Sequence, residues 1–319
     1  MDITIKQAAD FLLERDNYLV VSHTSPDADT IGSAAALVAG LRSIGKKAVA
    51  ICDEPIPNKL SFLKADNFFT DSEPPDIKAH VSVDTASIPM LGRFADKYSA
   101  EHIFDLSIDH HMVNDIPCKR RLLCADYSSC GEIIYELFDA LNIKISKSIA
   151  VLLYSAISSD SGGFRYSSTR SNTLRYAADL IDKGIDFAKI NRLLFETKTP
   201  VQMELERIAY NSIEFYYDRK LSVVTITNDD LIKTKAEDAD LDSLNQIPRQ
   251  ISGVEVSVVI KPKNDKVKVS LRSNEYFNVA EFASLFGGGG HHHAAGCTFE
   301  KDINEVKSII INTFNGKFQ

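Results

Sequence analysis

Three short apolar runs, Tyr18 to Val21, His80 to Val83 and Phe104 to Ile108, each stop at residues able to hold a metal. His23, Asp27 and Asp29 follow the first, Asp84 the second, and Asp109, His110 and His111 the third. Runs of this kind, apolar without alternation, predict strands buried on both faces, the mark of a parallel sheet. Parallel strands direct their carboxyl ends to one edge, where open α/β sheets bind their ligands. The chain is therefore expected to be an α/β protein whose chemistry-bearing residues converge although they are far apart in sequence.

The segments between the runs fit that frame. Thr30 to Ile44 has helical length and small apolar residues, Gly45 ends it, and Lys47 to Cys52 reads as a second strand, completing a βαβ unit. Pro55, Pro57, Pro74 and Pro75 mark loops. Helical spacing returns over Gly131 to Asn142 and Lys147 to Ser158, leading up to Asp160, and again over Thr173 to Lys183. Pro200 opens an amphipathic run, VQMELERIAYNSIEFYY, polar enough on one face to bridge domains. Beyond it, Leu221 to Thr227, Val254 to Lys261 and Lys266 to Arg272 read as strands, with Asn264 and Asp265 as a turn, before a closing helix from Ile303 to Phe314.

A length of 319 residues exceeds the usual single domain of roughly 100 to 200. We expect a catalytic domain over 1–189, a helical linker over 190–214 and a smaller α/β domain over 215–319, with the active site in the cleft between the two domains. The net charge of −8 argues against a broad basic face for long nucleic acid, so a nucleic-acid substrate should be short. The N-terminus lacks a signal-peptide pattern, and no apolar run approaches the ~20 residues of a membrane span. Five cysteines without a CxxC pair read as small buried thiols in a cytoplasmic protein.

The candidate ligands are thus His23, Asp27, Asp29, Asp84, His110 and Asp160, rich in carboxylate and free of thiolate. That balance suits manganese, or magnesium, better than structural zinc. Four aspartates and two histidines exceed the needs of one ion, whereas two ions about 3.5–4 Å apart form the clamp typical of phosphoryl hydrolysis. One aspartate must then bridge, and Asp84 is our choice. Ordinary roles compete at each position: Asp29 or Thr30 as a helix cap, Asp84 as a loop cap, Asp160 in an Asx turn, His110 as a core histidine. Against these stands the grouping of six of the chain's 8 histidines, with the aspartates, into three short clusters. His111, next to a ligand, suits proton donation to a leaving or phosphoryl oxygen. Asp109 suits the orientation of an imidazole, or serves as a structural partner only.

In the C-terminal part, Gly287 to Gly290 let backbone amides approach an anion, and His291 begins the following turn or helix, so Gly288, Gly289, Gly290 and His291 form a candidate phosphate nest, or else a flexible loop. Arg249, Lys261, Lys263, Lys266, Lys268 and Arg272 make a local basic patch in sequence.

These motifs resemble, over nearly the full length, the DHH phosphoesterases, named for the triplet seen here as Asp109-His110-His111. SHTSPDADTIGS is similar to the family's first motif, VDTAS to its second, SIDHH to its third and DSGGFR to its fourth, while GGGGHHHAAG resembles the hallmark of the DHH-associated C-terminal domain. The likeness is greatest to the two-domain group that degrades nanoRNA and 3'-phosphoadenosine 5'-phosphate (pAp). It implies that His23, Asp27 and Asp84 hold one ion and Asp29, Asp84, His110 and Asp160 the other. It also implies that His111 lies near the substrate and that Arg272 and His291 contact a phosphate or terminal nucleotide. One departure stands out: Met90 precedes Leu91-Gly92 and Arg93 follows, where the family often has arginine before Leu-Gly.

The expected function is hydrolysis of RNA or DNA oligonucleotides of about two to five residues, releasing mononucleotides, and of pAp to AMP and phosphate; a grip on the far end of the substrate sets that length. The alternatives are a linear-dinucleotide phosphodiesterase acting late in cyclic-dinucleotide breakdown, a pyrophosphatase, or, in another class, a non-catalytic nucleotide sensor. No membrane partner is expected, and a homodimer is a further expectation.

Overall fold

The computed structural model describes residues 1–98 and 102–318, with the side chains of Asp238, Ala239, Asp242 and His291 outside the described set. The chain forms two compact units, Met1–Thr197 and Lys198–Gln319.

In the first unit, α1 (Ile5–Glu14) starts at a capping box between Thr4 and Gln7 and buries Ala8, Ala9, Phe11 and Leu12. Then come β1 (Tyr18–Val21), α2 (Ala28–Ser43), β2 (Ala48–Ile51), β3 (Ala79–Val83), β4 (Leu106–Asp109) and β5 (Arg121–Leu123). The five strands are all parallel in the order β2-β1-β3-β4-β5. The chain leaves β1 for β2 on one side and returns to β3 on the other, so a topological switch point lies between the carboxyl ends of β1 and β3. Helices α3 (Cys130–Ala140), α4 (Lys147–Asp160), α5 (Ser171–Asp182) and α6 (Phe187–Asn191) complete the unit, and a π turn, Arg192–Glu196, follows α6. Helix α2 is buried nearly all round and meets α4 at small residues; a Cβ on Gly32 would stand 2.6 Å from the Leu152 carbonyl oxygen.

The second unit opens with α7 (Pro200–Asn211), capped by Thr199 and Gln202, which buries Leu205 and Ala209 against Val224, Leu241 and Leu244. The amphipathic run that reads as one helix stops at Asn211, and Glu214–Tyr216 becomes β6, since aromatic residues at that point favour a pleated surface. The unit continues with β7 (Leu221–Thr225), α8 (Asn228–Thr234), β8 (Val256–Lys263), β9 (Lys266–Ser273), α9 (Val279–Ser284), β10 (Gly289–His291), β11 (Ala294–Phe299) and α10 (Ile303–Thr313). Its sheet runs β10-β11-β9-β8-β7-β6, antiparallel except for β7 beside β8.

Two expectations are narrowed by the strands here. His291 leads into a hairpin turn and not a helix: it ends β10 and pairs with Ala294 of β11 across the turn at 292–293. Glycine is required by that pairing, because Gly290 has φ +146 and a Cβ there would lie 2.4 Å from the Ala294 carbonyl oxygen. The basic residues are not equivalent, although Lys261, Lys263, Lys266, Lys268 and Arg272 share one face of the β8–β9 pair, Lys261 opposite Lys268 and Lys263 opposite Lys266. Lys261 is buried with its Nζ 3.4 Å from the Leu241 carbonyl, Arg249 donates to Asn274, and Lys266 pairs with Glu300. No helix among the described residues is long and apolar enough to cross a membrane.

Candidate metal centre

The turn after β1 delivers the first three candidate side chains. His23 Nδ1 donates to the Thr24 carbonyl, which leaves Nε2 facing Thr30 Oγ1 at 2.6 Å and Asp84 Oδ2 at 3.4 Å. Asp27, rather than Asp29 or Thr30, is the N-cap of α2, its Oδ1 accepting the Thr30 N–H at 3.0 Å. The cap falls earlier because Ala28 and Asp29 already have helical backbone. Asp29 is fully buried in the first turn of α2. Its Oδ2 accepts the Cys130 N–H at 2.7 Å, and its Oδ1 accepts the Gly131 N–H at 2.9 Å and the Ser33 hydroxyl at 2.7 Å. A carboxylate at the start of α3 is favoured by the free amides and the helix dipole there.

Asp84 follows β3 directly and is 2 % exposed. Its backbone has φ +56, a left-handed conformation uncommon outside glycine, and its N–H donates to the Ile108 carbonyl at 3.0 Å. Asp109 ends β4 and is fully occupied: Oδ1 accepts from His111 Nδ1 at 2.7 Å and from the His110 N–H at 2.9 Å, and Oδ2 accepts from Asn114 at 2.6 Å. His110 Nδ1 donates to the Tyr127 carbonyl at 3.3 Å. Its Nε2 then points at Asp160 Oδ2 (3.4 Å), Asp84 Oδ1 (3.5 Å) and Asp29 Oδ2 (3.7 Å), with Asp160 arriving from the last turn of α4.

The structure therefore brings all six candidate ligands together. Ligand atoms of His23, Asp27 and Asp84 lie within 4.8 Å of one another, as do those of Asp29, His110 and Asp160, and those of Asp84, His110 and His111. Cys130 joins Asp29 and Asp84 in a fourth such group, a neighbour that sequence reasoning, treating cysteines as small hydrophobes, did not single out. Burial holds its thiol well above the usual range, so it lines the centre as a neutral group and not as a thiolate.

Crowding so many like charges sets up an electrostatic conflict. Burial and the nearby charge of Asp84 raise Asp29 to about 8, and burial with the charges of Asp29 and Asp27 holds Asp160 well above the carboxylate range. Burial would raise Asp84 too, but the facing imidazoles of His110 and His23 prevail and keep it low. Burial disfavours charge on both imidazoles, yet the facing carboxylate of Asp84 lifts His23 to about 9 and, with the charge of Asp29, lifts His110 to about 10. The protein's own protons thus substitute in part for a cation. They do so incompletely, because Asp84 Oδ1 and His110 Nε2 are buried without a hydrogen-bond partner. Buried polar atoms are rarely left so, and a set of carboxylate oxygens and imidazole nitrogens is the donor set of hard divalent ions. The residues present fit a metal centre.

Arg93, the residue at the departure in the second motif, is turned to Asp53, with Nε 3.2 Å from Oδ1. In the second unit, Arg272 lies on β9 opposite Ala294 of β11 and Ser257 of β8, and donates to the Leu271 carbonyl at 2.9 Å. Gly288 and Gly290 are both hemmed in by β11, whereas Gly289 has open space where a side chain would be. The side chain of His291 lies outside the described residues.

Comparison with known proteins bears on the whole chain. The model of the DHH family, N-terminal domain, matches residues 17–157, and the DHHA1 domain model matches residues 218–316. The bifunctional oligoribonuclease and PAP phosphatase NrnA of Thermus thermophilus is 27% identical over 290 residues, 88% of this chain and 83% of that protein. The Mycoplasma genitalium protein of the same name is 25% identical over 316 residues, 96% of each. Among solved structures, an exopolyphosphatase-related protein from Bacteroides fragilis has the same fold, with a TM-score of 0.88 at 24% identity over 97% of this chain and 96% of that one.

Proposed function

We infer that this chain, which belongs to the DHH family and carries a DHHA1 domain in its second unit, is a two-metal phosphoesterase. It hydrolyses short oligonucleotides to mononucleotides and pAp to AMP and phosphate. The observation that carries the chemistry is the buried, unpartnered pair of Asp84 Oδ1 and His110 Nε2 at the switch point of a parallel sheet. Relatives named as oligoribonuclease and PAP phosphatase, similar over most of both chains, support the substrate class.

His23, Asp27 and Asp84 would hold one ion, and Asp29, Asp84, His110 and Asp160 the other, with manganese the ion best matched to this donor set and magnesium the alternative. Bound there, the ions acidify water and neutralise charge on the phosphoryl oxygens. The chain's residues do the rest. Asp109 fixes the tautomer of His111 by accepting at Nδ1, so Nε2 is the atom left to act. The Asp109 hydrogen bond also raises His111 above its ordinary pKa, and the imidazole, about one-third exposed, is suited to give its Nε2 proton to the leaving oxygen as water attacks phosphorus and the ester P–O bond breaks. Arg272 and His291 bind phosphate or the terminal nucleotide, which favours substrates of about two to five residues, while the Gly288 amide is already taken by the Ala283 carbonyl at 3.0 Å. The protein works in the cytoplasm.

The test is a kinetic series of 5'-labelled oligonucleotides from two to twenty residues, with pAp, a linear dinucleotide and pyrophosphate alongside, in manganese and in magnesium. We expect turnover concentrated in the shortest oligonucleotides and in pAp. Preference for pyrophosphate would overturn the substrate assignment, and tight nucleotide binding without turnover would replace the enzyme with a sensor.

A further inference from the structure

We propose that Arg170 is a positioning residue that holds the ligand set of one of the two ions and leaves the other alone. The proposal rests on the two-metal reading above and concerns a residue outside the ligand set. Arg170 occupies the N-cap position of α5, and its guanidinium grips three residues, two in the segment between β5 and α3 and one in the first turn of α3. Nη1 donates to Asp126 Oδ2 at 2.8 Å, Nη2 donates to Glu132 Oε2 at 2.7 Å, and Cζ stands 4.0 Å from the centroid of the Tyr127 ring. Glu132 is fully buried and also accepts from the hydroxyls of Ser128 and Thr173, each at 2.5 Å. With both Nη atoms committed to carboxylates, Arg170 is a clamp and not a substrate contact.

The clamped segment presents two sets of backbone atoms to the metal centre. The Tyr127 carbonyl accepts from His110 Nδ1 and so makes Nε2 the atom that faces Asp29, Asp84 and Asp160. Cys130 and Gly131, in the first turn of α3, hold the two oxygens of Asp29. His110 and Asp29 both belong to the same proposed ion. The ligands peculiar to the other ion are held elsewhere, His23 by the Thr24 carbonyl and Asp27 by the Thr30 amide, while the shared Asp84 is fixed by the Ile108 carbonyl. Backbone atoms orient a ligand only from where their segment lies, and Arg170 sets that position.

The experiment is a manganese titration of the full chain, followed by calorimetry and by the resonance of free Mn2+, with thermal denaturation in parallel. Wild type should show two binding steps. Arg170→Met should weaken one step by about 10- to 100-fold and leave the other within about 2-fold, the range seen when groups orienting metal ligands are lost. Its activity at low manganese should fall and return when manganese is raised. Arg170→Met also strands a buried carboxylate, so Arg170→Met/Glu132→Gln separates folding from positioning: the pair should regain thermal stability without regaining the weakened step. Arg170→Lys keeps a cation for Glu132 and gives up the second arm; it should weaken the same step less, and it serves if the other variants fail to fold. Recovery of wild-type affinity in the double variant, equal weakening of both steps, or unchanged affinity in Arg170→Lys and Arg170→Met would overturn the proposal. Absence of manganese binding by wild type would instead overturn the metal centre itself.

Discussion

The two sheets treat charged residues in opposite ways. In the parallel sheet of the first unit, β1, β3 and β4 all end on one edge, so His23, Asp84 and His110, separated by long stretches of chain, come within a few ångströms. In the mixed sheet of the second unit, all neighbouring strands but β7 and β8 run in opposite directions, so their carboxyl ends fall on both edges. Lys261, Lys266, Lys268 and Arg272 are close in sequence, yet Lys261 is buried and Lys266 pairs with Glu300. Parallel strand ends gather charges at one point, whereas the antiparallel β8–β9 pair spreads them along a face. One unit should therefore behave as an all-or-none centre and the other as a set of independent contributors.

The largest effect should come from Asp84→Asn, which keeps shape and backbone tolerance but removes the shared charge; kcat/KM should drop by about 10^3-fold or more on every substrate. Retention of manganese-dependent turnover would mean that the strand ends do not act as one centre. Removal of divalent ions should matter next, since manganese at about 100 times its Kd adds about 2.7 kcal/mol to stability. For a unit of this size that is a rise of about 5–10 °C in thermal midpoint over protein treated with chelator, measured by circular dichroism. Arg272→Ala should be graded, raising KM for pAp by about 10- to 100-fold with kcat nearly kept, the loss expected of one charged hydrogen-bonding group. An equal loss in kcat would make the second unit part of the chemistry and erase the contrast. Gly32→Ala, which forces a methyl against the Leu152 carbonyl between α2 and α4, should cost about 1–3 kcal/mol in chemical denaturation without altering KM. The smallest effect belongs to Lys266→Gln: its ammonium meets Glu300 on the open surface, and neither thermal midpoint nor turnover should change measurably.

The same contrast explains what could be read from sequence. The apolar runs that became β1, β3 and β4 were legible because strands buried on both faces carry no alternation and stop where charge begins. Strand β5 was not, being three residues long, opening on Arg121 and held by backbone pairing to β4. Strands β10 and β11 escaped too, because Gly289, Gly290, Ala294, Ala295 and Gly296 are too small to write a pattern. In the centre, the side chains the structure gathers were visible as residue types able to bind metal. Their supports were not: the Tyr127 carbonyl and the amides of Cys130 and Gly131 are backbone groups that every residue possesses, and only the fold aims them. The helix cap was misplaced by two or three residues because Asp27, Asp29 and Thr30 are all good caps, and sequence alone does not rank them.

The left-handed turn at Asp84 limits what random mutation can offer there. Two independent filters act on that position. The backbone favours glycine, asparagine and aspartate, and of those only aspartate brings a negative charge. Glutamate keeps the charge and is less favoured in conformation; asparagine does the reverse. A lineage that lost this aspartate would find no near-equivalent to settle on, and would recover the activity only by restoring the same residue or by rebuilding the turn around it.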